Sequence, residues 1–215
     1  MRFQAEALLF DNDGTLISSM ESVHRCWRRW AEEHGISAAD FERVELHGRP
    51  AVEIIAELLP EERIPAALER IEQLEVEDVP GGVVLLPGTK ELLSALPRDR
   101  WAVVTSATRP LAEARLREVG VDFPAMVAAD DITRGKPDPE PFLLAAERLG
   151  VDPARCVVFE DAPAGLAAGR AAGMRTVALT TTHTAAELAA DVVVPDLSAV
   201  SAQAIDGGVE IVTAG

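Results

Sequence analysis

Short, unbroken apolar runs recur along the chain: Ala7 to Phe10, Trp101 to Thr105, Cys156 to Glu160, Thr176 to Leu179 and Asp191 to Val194. Each is the length of a strand and too apolar to show alternation, which predicts strands buried on both faces. Between them, apolar residues recur at three- and four-residue spacing, as in helices. One helix is predicted around Thr89 to Leu96 and another from about Arg109 to Val119, stopped by Gly120. Asp138 can cap the next, with Pro139 in its first turn and Gly150 past its end. Strands alternating with helices imply an α/β fold with a mostly parallel sheet covered on both faces, and such sheets bind ligands at the strands' C-terminal ends.

The alternation is broken once. From Ser18 to about Val79 the pattern is helical: Trp27, Trp30 and Ala31 share one face before Gly35, and further helices fit Ala51 to Leu59 and Ile64 to Leu74, separated by Gly48-Arg49-Pro50 and Pro60. Pro80-Gly81-Gly82 and Pro87-Gly88 mark the return. The expected division is an α/β core of residues 1–16 and 85–215 with an all-helical insertion of residues 17–84. Gly165, Gly169 and Gly173 fall at four-residue intervals beside Arg170, which predicts a helix packed closely on the sheet rather than a membrane span. After Ala204, a Gly207-Gly208 turn precedes Val209 to Val212, read as an edge strand without a function.

Composition narrows the partners. Of 215 residues 48% are hydrophobic, enough for a sizeable core, and the formal charge of −16 makes nucleic acid and anionic membrane surfaces poor partners. A single pocket can still be locally positive through a metal, a lysine and backbone N–H groups. No apolar run approaches a membrane span and the N-terminus lacks an apolar signal region, so a cytoplasmic location is expected. Cys26 and Cys156 read as buried reduced thiols, and without CxxC or a His pair a structural zinc site is not expected.

The first strand carries the chemistry. Ala7 to Phe10 runs into Asp11-Asn12-Asp13-Gly14-Thr15, and residues i and i+2 of a strand point the same way, so Asp11 and Asp13 are expected to share a pocket while Asn12 faces elsewhere. Asp-Gly is also an ordinary turn signal. An EF-hand loop does not fit, since Leu16 and Ser22 stand where that pattern needs glycine and glutamate. Close carboxylates need a cation or a shared proton between them, and both arrangements suit phosphoryl transfer. Three further polar groups lie at or just beyond strand ends: Thr105-Ser106, Lys136 and Glu160-Asp161. Lys136 is one of only two lysines, with Lys90. Singly, each group could be a cap, a turn or a solvated loop charge; together, in this order, they form one candidate phosphate and cation site.

That constellation resembles the haloacid dehalogenase superfamily, in particular phosphatases with a helical cap inserted after the first motif, over essentially the whole chain. Asp11 to Thr15 matches the first motif, Thr105-Ser106 the second, Lys136 the third and Glu160-Asp161 the fourth. The resemblance implies a Rossmann-like core with Asp11 as nucleophile, Asp13 as general acid/base, Ser106 as phosphate ligand and Lys136 as charge stabiliser. It further implies Mg²⁺ held by Asp11, the backbone carbonyl of Asp13 and Asp161, with Glu160 close by or acting through water. Thr105, Ser106 and Ala107 would bind phosphate, and His47, Gly48 and Arg49 of the cap would bind the rest of the substrate, a small phosphorylated metabolite such as a sugar, polyol or glycerol phosphate. The protein is expected to act as a monomer. Three rivals follow: a β-phosphoglucomutase-type mutase, disfavoured because Val23 stands at the mutases' cap histidine and the cap lacks lysine; a dehalogenase, which typically lacks the second aspartate; and a non-catalytic phospholigand-binding protein.

Overall fold

In the computed structural model, which describes residues 1–44, 46 and 49–214, eleven strands and eight α-helices are found among the described residues. The strands are β1 (Arg2–Ala5), β2 (Ala7–Phe10), β3 (Ile17–Ser18), β4 (Val84–Leu85), β5 (Trp101–Val104), β6 (Met126–Val127), β7 (Cys156–Glu160), β8 (Arg175–Leu179), β9 (Val192–Val194), β10 (Val200–Ile205) and β11 (Gly208–Thr213). The helices are α1 (Met20–His34), α2 (Ala38–Phe41), α3 (Ala51–Leu58), α4 (Ile64–Glu77), α5 (Thr89–Ser94), α6 (Arg109–Glu118), α7 (Glu140–Leu149) and α8 (Pro163–Ala171).

Six strands form one parallel sheet in the order β6-β5-β2-β7-β8-β9, with Leu9 of β2 opposite Ala102 on one side and Val158 on the other. The chain order turns back at β2, so a crevice opens beyond the C-terminal ends of β2 and its two neighbours. All four β2 residues are inaccessible to solvent. Successive side chains point to opposite faces, and Leu8 and Phe10 join one core with Val103, Phe159 and Leu116, while Ala7 and Leu9 join another with Val104, Val158 and Phe142. The Phe10 ring stacks on Phe159 at 4.8 Å between centroids and meets the edge of Trp101 at 6.2 Å. Full burial of a Leu or Phe side chain contributes about 1.5–3 kcal/mol. The acids that follow Phe10 are therefore mounted on a central strand of the sheet whose residues are all buried.

Helices α1 to α4 have a core of their own, built on Trp27, Trp30, Ile54, Ile55 and Ile71. Trp27, Trp30 and Ala31 lie on the buried face of α1, and the Trp30 indole donates to the Ala67 carbonyl at 2.8 Å. The chain enters and leaves this group through β3 and β4, which pair antiparallel with Ile17 opposite Leu85. Close packing of α8 on the sheet is also as expected: a Cβ on Gly169 would stand 3.1 Å from methyl groups of Val158 and Thr176.

Several boundaries differ from the sequence reading. The tail strand β11 is the middle of a three-stranded antiparallel sheet, β1-β11-β10, not an edge. Residues 2–5, to which no strand was assigned, alternate exposed and buried and pair with it, Phe3 opposite Ile211. The β2 strand stops at Phe10 and β5 at Val104, so Asp11, Asp13 and Thr105 project from the turns beyond them. Pro139, not Asp138, occupies the N-cap of α7, although Asp138 Oδ1 still accepts from the Glu140 amide at 2.9 Å. The two-residue edge strand β6 was too short to show a pattern. Cys26 and Cys156 are free and buried, and burial raises their thiols to about 11 and about 12. Among the described residues no helix is long and apolar enough to cross a membrane.

Because Trp30 fills the centre of the helical group and also satisfies a buried carbonyl, Trp30→Ala should cost about 3–5 kcal/mol. Urea unfolding followed by circular dichroism would measure this, and a loss under about 1 kcal/mol would contradict a separately packed helical core.

Candidate active site

Four loops at the C-terminal edge of the parallel sheet converge on one buried lysine. Lys136 Nζ donates to Asp11 Oδ1 at 2.5 Å, to Glu160 Oε1 at 2.7 Å and to the Val104 carbonyl at 3.0 Å. An ammonium has three protons, and these contacts use all of them. The partners come from the ends of β2, β7 and β5, three adjacent strands, so the lysine ties the crevice together. Glu160 is held from both sides, since its Oε2 accepts the backbone N–H of Asp161 at 3.0 Å and of Ala162 at 2.9 Å.

Asp11, Glu160 and Asp161 each bring a carboxylate oxygen to within 4.8 Å of the others, and all three are buried. Burial drives the Asp11 carboxyl well above its usual range; Lys136 pulls it back, and nearby Glu160 and Asp161 add to the rise. For Lys136, burial favours loss of the proton, but Asp11 and Glu160 outweigh it and the ammonium is held more firmly than that of a free lysine. Three carboxylates against one ammonium leave negative charge for a divalent cation to neutralise, and oxygen donors of this kind suit a hard one. The backbone makes room for them: a Cβ on Gly14, whose φ is 93°, would lie 2.2 Å from Asp161 Oδ2, and one on Gly165 would lie 1.7 Å from Glu160 Oε1. The residues present therefore fit a divalent metal ion.

Asp13 reaches the same cavity by another route. Its carboxylate is outside the group of three, and Oδ1 accepts instead from Ser19 Oγ at 2.6 Å and from Arg115 Nη1 at 3.0 Å. Asn12 is fully buried and does not line the cavity, as expected, but its amide donates to Asp13 Oδ2 at 3.2 Å. Thr105 is buried and its hydroxyl accepts the Ala107 N–H at 3.1 Å, while Ser106 lines the cavity. The cavity, of about 300 Å³, lies between the sheet edge and the helical group, with Met20, Val23 and Val52 giving an apolar wall and Glu72 and Glu75 an acidic one. Arg49 lines it as well and pairs with Glu57 at 2.5 Å. His47 and Gly48 lie outside the described residues.

Sequence reasoning missed a second layer. The loop after β8 clamps the acids: Thr182 Oγ1 donates to Asp161 Oδ2, Thr181 Oγ1 to the Gly14 carbonyl, and His183 Nδ1 lies 3.0 Å from the Asp161 carbonyl oxygen. Its signal was available, as the polar run Thr180 to His183 follows a strand at the C-terminal edge. Arg115 and Glu75 were also missed, although each stands on the apolar face of its helix, four residues after Leu111 and Ile71 respectively.

A family model described as a haloacid dehalogenase-like hydrolase matches residues 5–173. Hexitol phosphatase A of Escherichia coli (strain K12) is 38% identical over 182 residues, 82% of this chain and 83% of the relative. Validoxylamine A 7'-phosphate phosphatase of Streptomyces hygroscopicus subsp. limoneus is 40% identical over 209 residues, 89% of this chain and 94% of the relative. Among solved structures, a hydrolase from Pseudomonas syringae superposes with a TM-score of 0.80 at 27% identity, covering 90% of this chain and 94% of that one. A β-phosphoglucomutase from Clostridium difficile superposes with a TM-score of 0.77 at 25% identity, covering 90% and 92%. The match runs from the last residue of β1 past the end of α8, and takes in every loop that brings a side chain to Lys136: the chain belongs to the haloacid dehalogenase-like hydrolases.

Proposed function

We propose that the protein is a Mg²⁺-dependent phosphatase that hydrolyses small phosphate monoesters of sugars, polyols or glycerol through an aspartyl-phosphate on Asp11. The observation that carries this reading is the Lys136 ammonium shared between Asp11 and Glu160 beside Asp161, at the floor of a cavity that Asp13 also lines. Asp11, mounted at the end of β2, attacks phosphorus as the bond to the leaving oxygen breaks, and Asp13 gives that oxygen a proton. Asp13 then takes a proton from water as the water attacks phosphorus, freeing inorganic phosphate and restoring Asp11. Lys136 offsets charge on Asp11 and the phosphoryl oxygens. Asp11, Asp161 and the Asp13 carbonyl would hold Mg²⁺, with Glu160 behind them, and the bound ion would supply charge neutralisation at the phosphoryl group.

Thr105, Ser106 and Ala107 form the phosphate loop. The Ala107 N–H is turned to Thr105, so the Ser106 hydroxyl is the group we assign to a phosphate oxygen. Residues 17–84 act as a cap over a core of residues 1–16 and 85–215, hinged at β3 and β4. Closure would exclude water other than the attacking one. Arg49, with its planar fork at the cavity wall, and the neighbouring His47 and Gly48 select the part of the substrate beyond phosphate. The relatives' names favour sugar and polyol phosphates. A mutase reading is disfavoured by Val23 at the cavity wall and by the lack of any lysine in residues 17–84. The charge of −16 and the reduced thiols accord with a cytoplasmic enzyme acting on a small metabolite rather than on nucleic acid. We also propose that the protein acts as a monomer.

On a panel of hexitol, sugar and glycerol phosphates, Asp11→Asn should lower kcat by about 10³-fold or more with the fold intact, and EDTA should do the same until Mg²⁺ is restored. Turnover that survived both treatments would contradict the mechanism. Gly165→Ala must displace Glu160 from Lys136, a shift on the scale that costs about 10²-fold in kcat. Steady-state assays beside circular dichroism would check it, and activity above half of the parent's would mean that Glu160 need not stand where it does.

A further inference from the structure

Asp13 is not positioned by its own turn alone. Its Oδ1 is held by Ser19 at the start of α1 and by Arg115 of α6, and Oδ2 meets only the Asn12 amide, at 3.2 Å, in the contacts described above. The other terminal nitrogen of Arg115 reaches Glu75 Oε1 of α4 at 3.4 Å. The Arg115, Asp13 and Glu75 side chains are 5%, 20% and 9% exposed, so this line of charges is almost dry. Arg115 shares the inward face of α6 with Leu111, Ala112 and Leu116, where an arginine is costly unless it is paired. Its contacts are divided, one nitrogen to each acid, and its Nε has no partner among the described residues. A fork gripping one carboxylate with two parallel bonds would be stronger. The divided arrangement instead ties an acid of the sheet edge to an acid of the helical group through one cation.

We propose that Arg115 is a positioning residue for proton transfer: holding Asp13 Oδ1 and Glu75 in one buried line, it presents Asp13 Oδ2 to the leaving oxygen and makes that setting depend on where α4 stands. The inference rests on the phosphatase reading above. The proton it governs passes from Asp13 Oδ2 to the leaving oxygen as the P–O bond breaks, and from the attacking water to Asp13 in the second step. Arg115 touches no reacting atom. When α4 is docked, Glu75 shares the guanidinium and limits its hold on Asp13; when α4 moves away, Asp13 is the one acid left to it.

The leaving group separates this role from a structural one. An alkyl phosphate must receive a proton as it leaves, whereas p-nitrophenolate leaves without one, and kcat/KM reports that first step for both. Arg115→Met should lower kcat/KM for glycerol or hexitol phosphate by about 10²-fold and for p-nitrophenyl phosphate by less than about threefold. Arg115→Lys keeps the charge without the fork and should fall between. Glu75→Gln, which leaves Arg115 and Asp13 in place, should lower the alkyl-to-aryl ratio by about threefold or more, and it decides the matter if Arg115→Met does not fold. Equal losses on both substrate classes, or an unchanged ratio with hydrolysis still dependent on Asp11, would overturn the Arg115 inference alone. Absence of any Asp11-dependent hydrolysis would remove the phosphatase reading and this inference with it.

Discussion

One buried ammonium organises the site. Lys136 Nζ spends its three protons on Asp11, Glu160 and the Val104 carbonyl, and through them ties together the ends of the three central strands. Without it, Asp11 and Glu160 would face each other in a buried setting with no positive charge between them, and breaking a pair of that kind typically costs about 3–5 kcal/mol. The same contact has a chemical consequence. It keeps one oxygen of Asp11 engaged, so the direction of this carboxylate is set by the geometry of the sheet edge rather than by free rotation of the side chain.

Around this contact, the backbone gives way where side chains could not. Gly14 and Gly165 stand where any Cβ would strike Asp161 or Glu160, and the loop after β8 closes over Asp161 with Thr182 and His183. In a chain of net charge −16, the local balance at this edge is set by one lysine among three carboxylates that fit a divalent ion, not by the surface. The helical group adds the remaining walls. Its apolar and acidic residues contact the site from above, and Arg115 with Glu75 is the one buried charge link described between the two layers at Asp13.

What the sequence made legible followed from local pattern. Four apolar residues ending in Asp11 and Asp13, Thr105-Ser106 after Val104, and Glu160-Asp161 after Phe159 are strand ends carrying polar groups, and a parallel sheet brings such ends together. What stayed hidden depended on partners far away in sequence. β1 and β11 stabilise each other across nearly the whole chain, so neither read as half of a sheet whose middle strand is β11. Arg115 and Glu75 stand on the apolar faces of their helices, but helical spacing cannot show that each is the other's partner. Thr182 bonds Asp161 and does not line the cavity, so the constellation of motifs was complete without it.

The account turns on a covalent bond between phosphorus and Asp11. With Asp13→Asn, the aryl leaving group of radiolabelled p-nitrophenyl phosphate can depart unaided, while water lacks its base, so the phosphoryl group should accumulate on the protein. Rapid acid quenching followed by peptide mapping should find the label on the peptide holding Asp11, and none after Asp11→Asn is added. Label on another residue, or turnover by the parent enzyme with no protein-bound phosphate at any quench time, would contradict it.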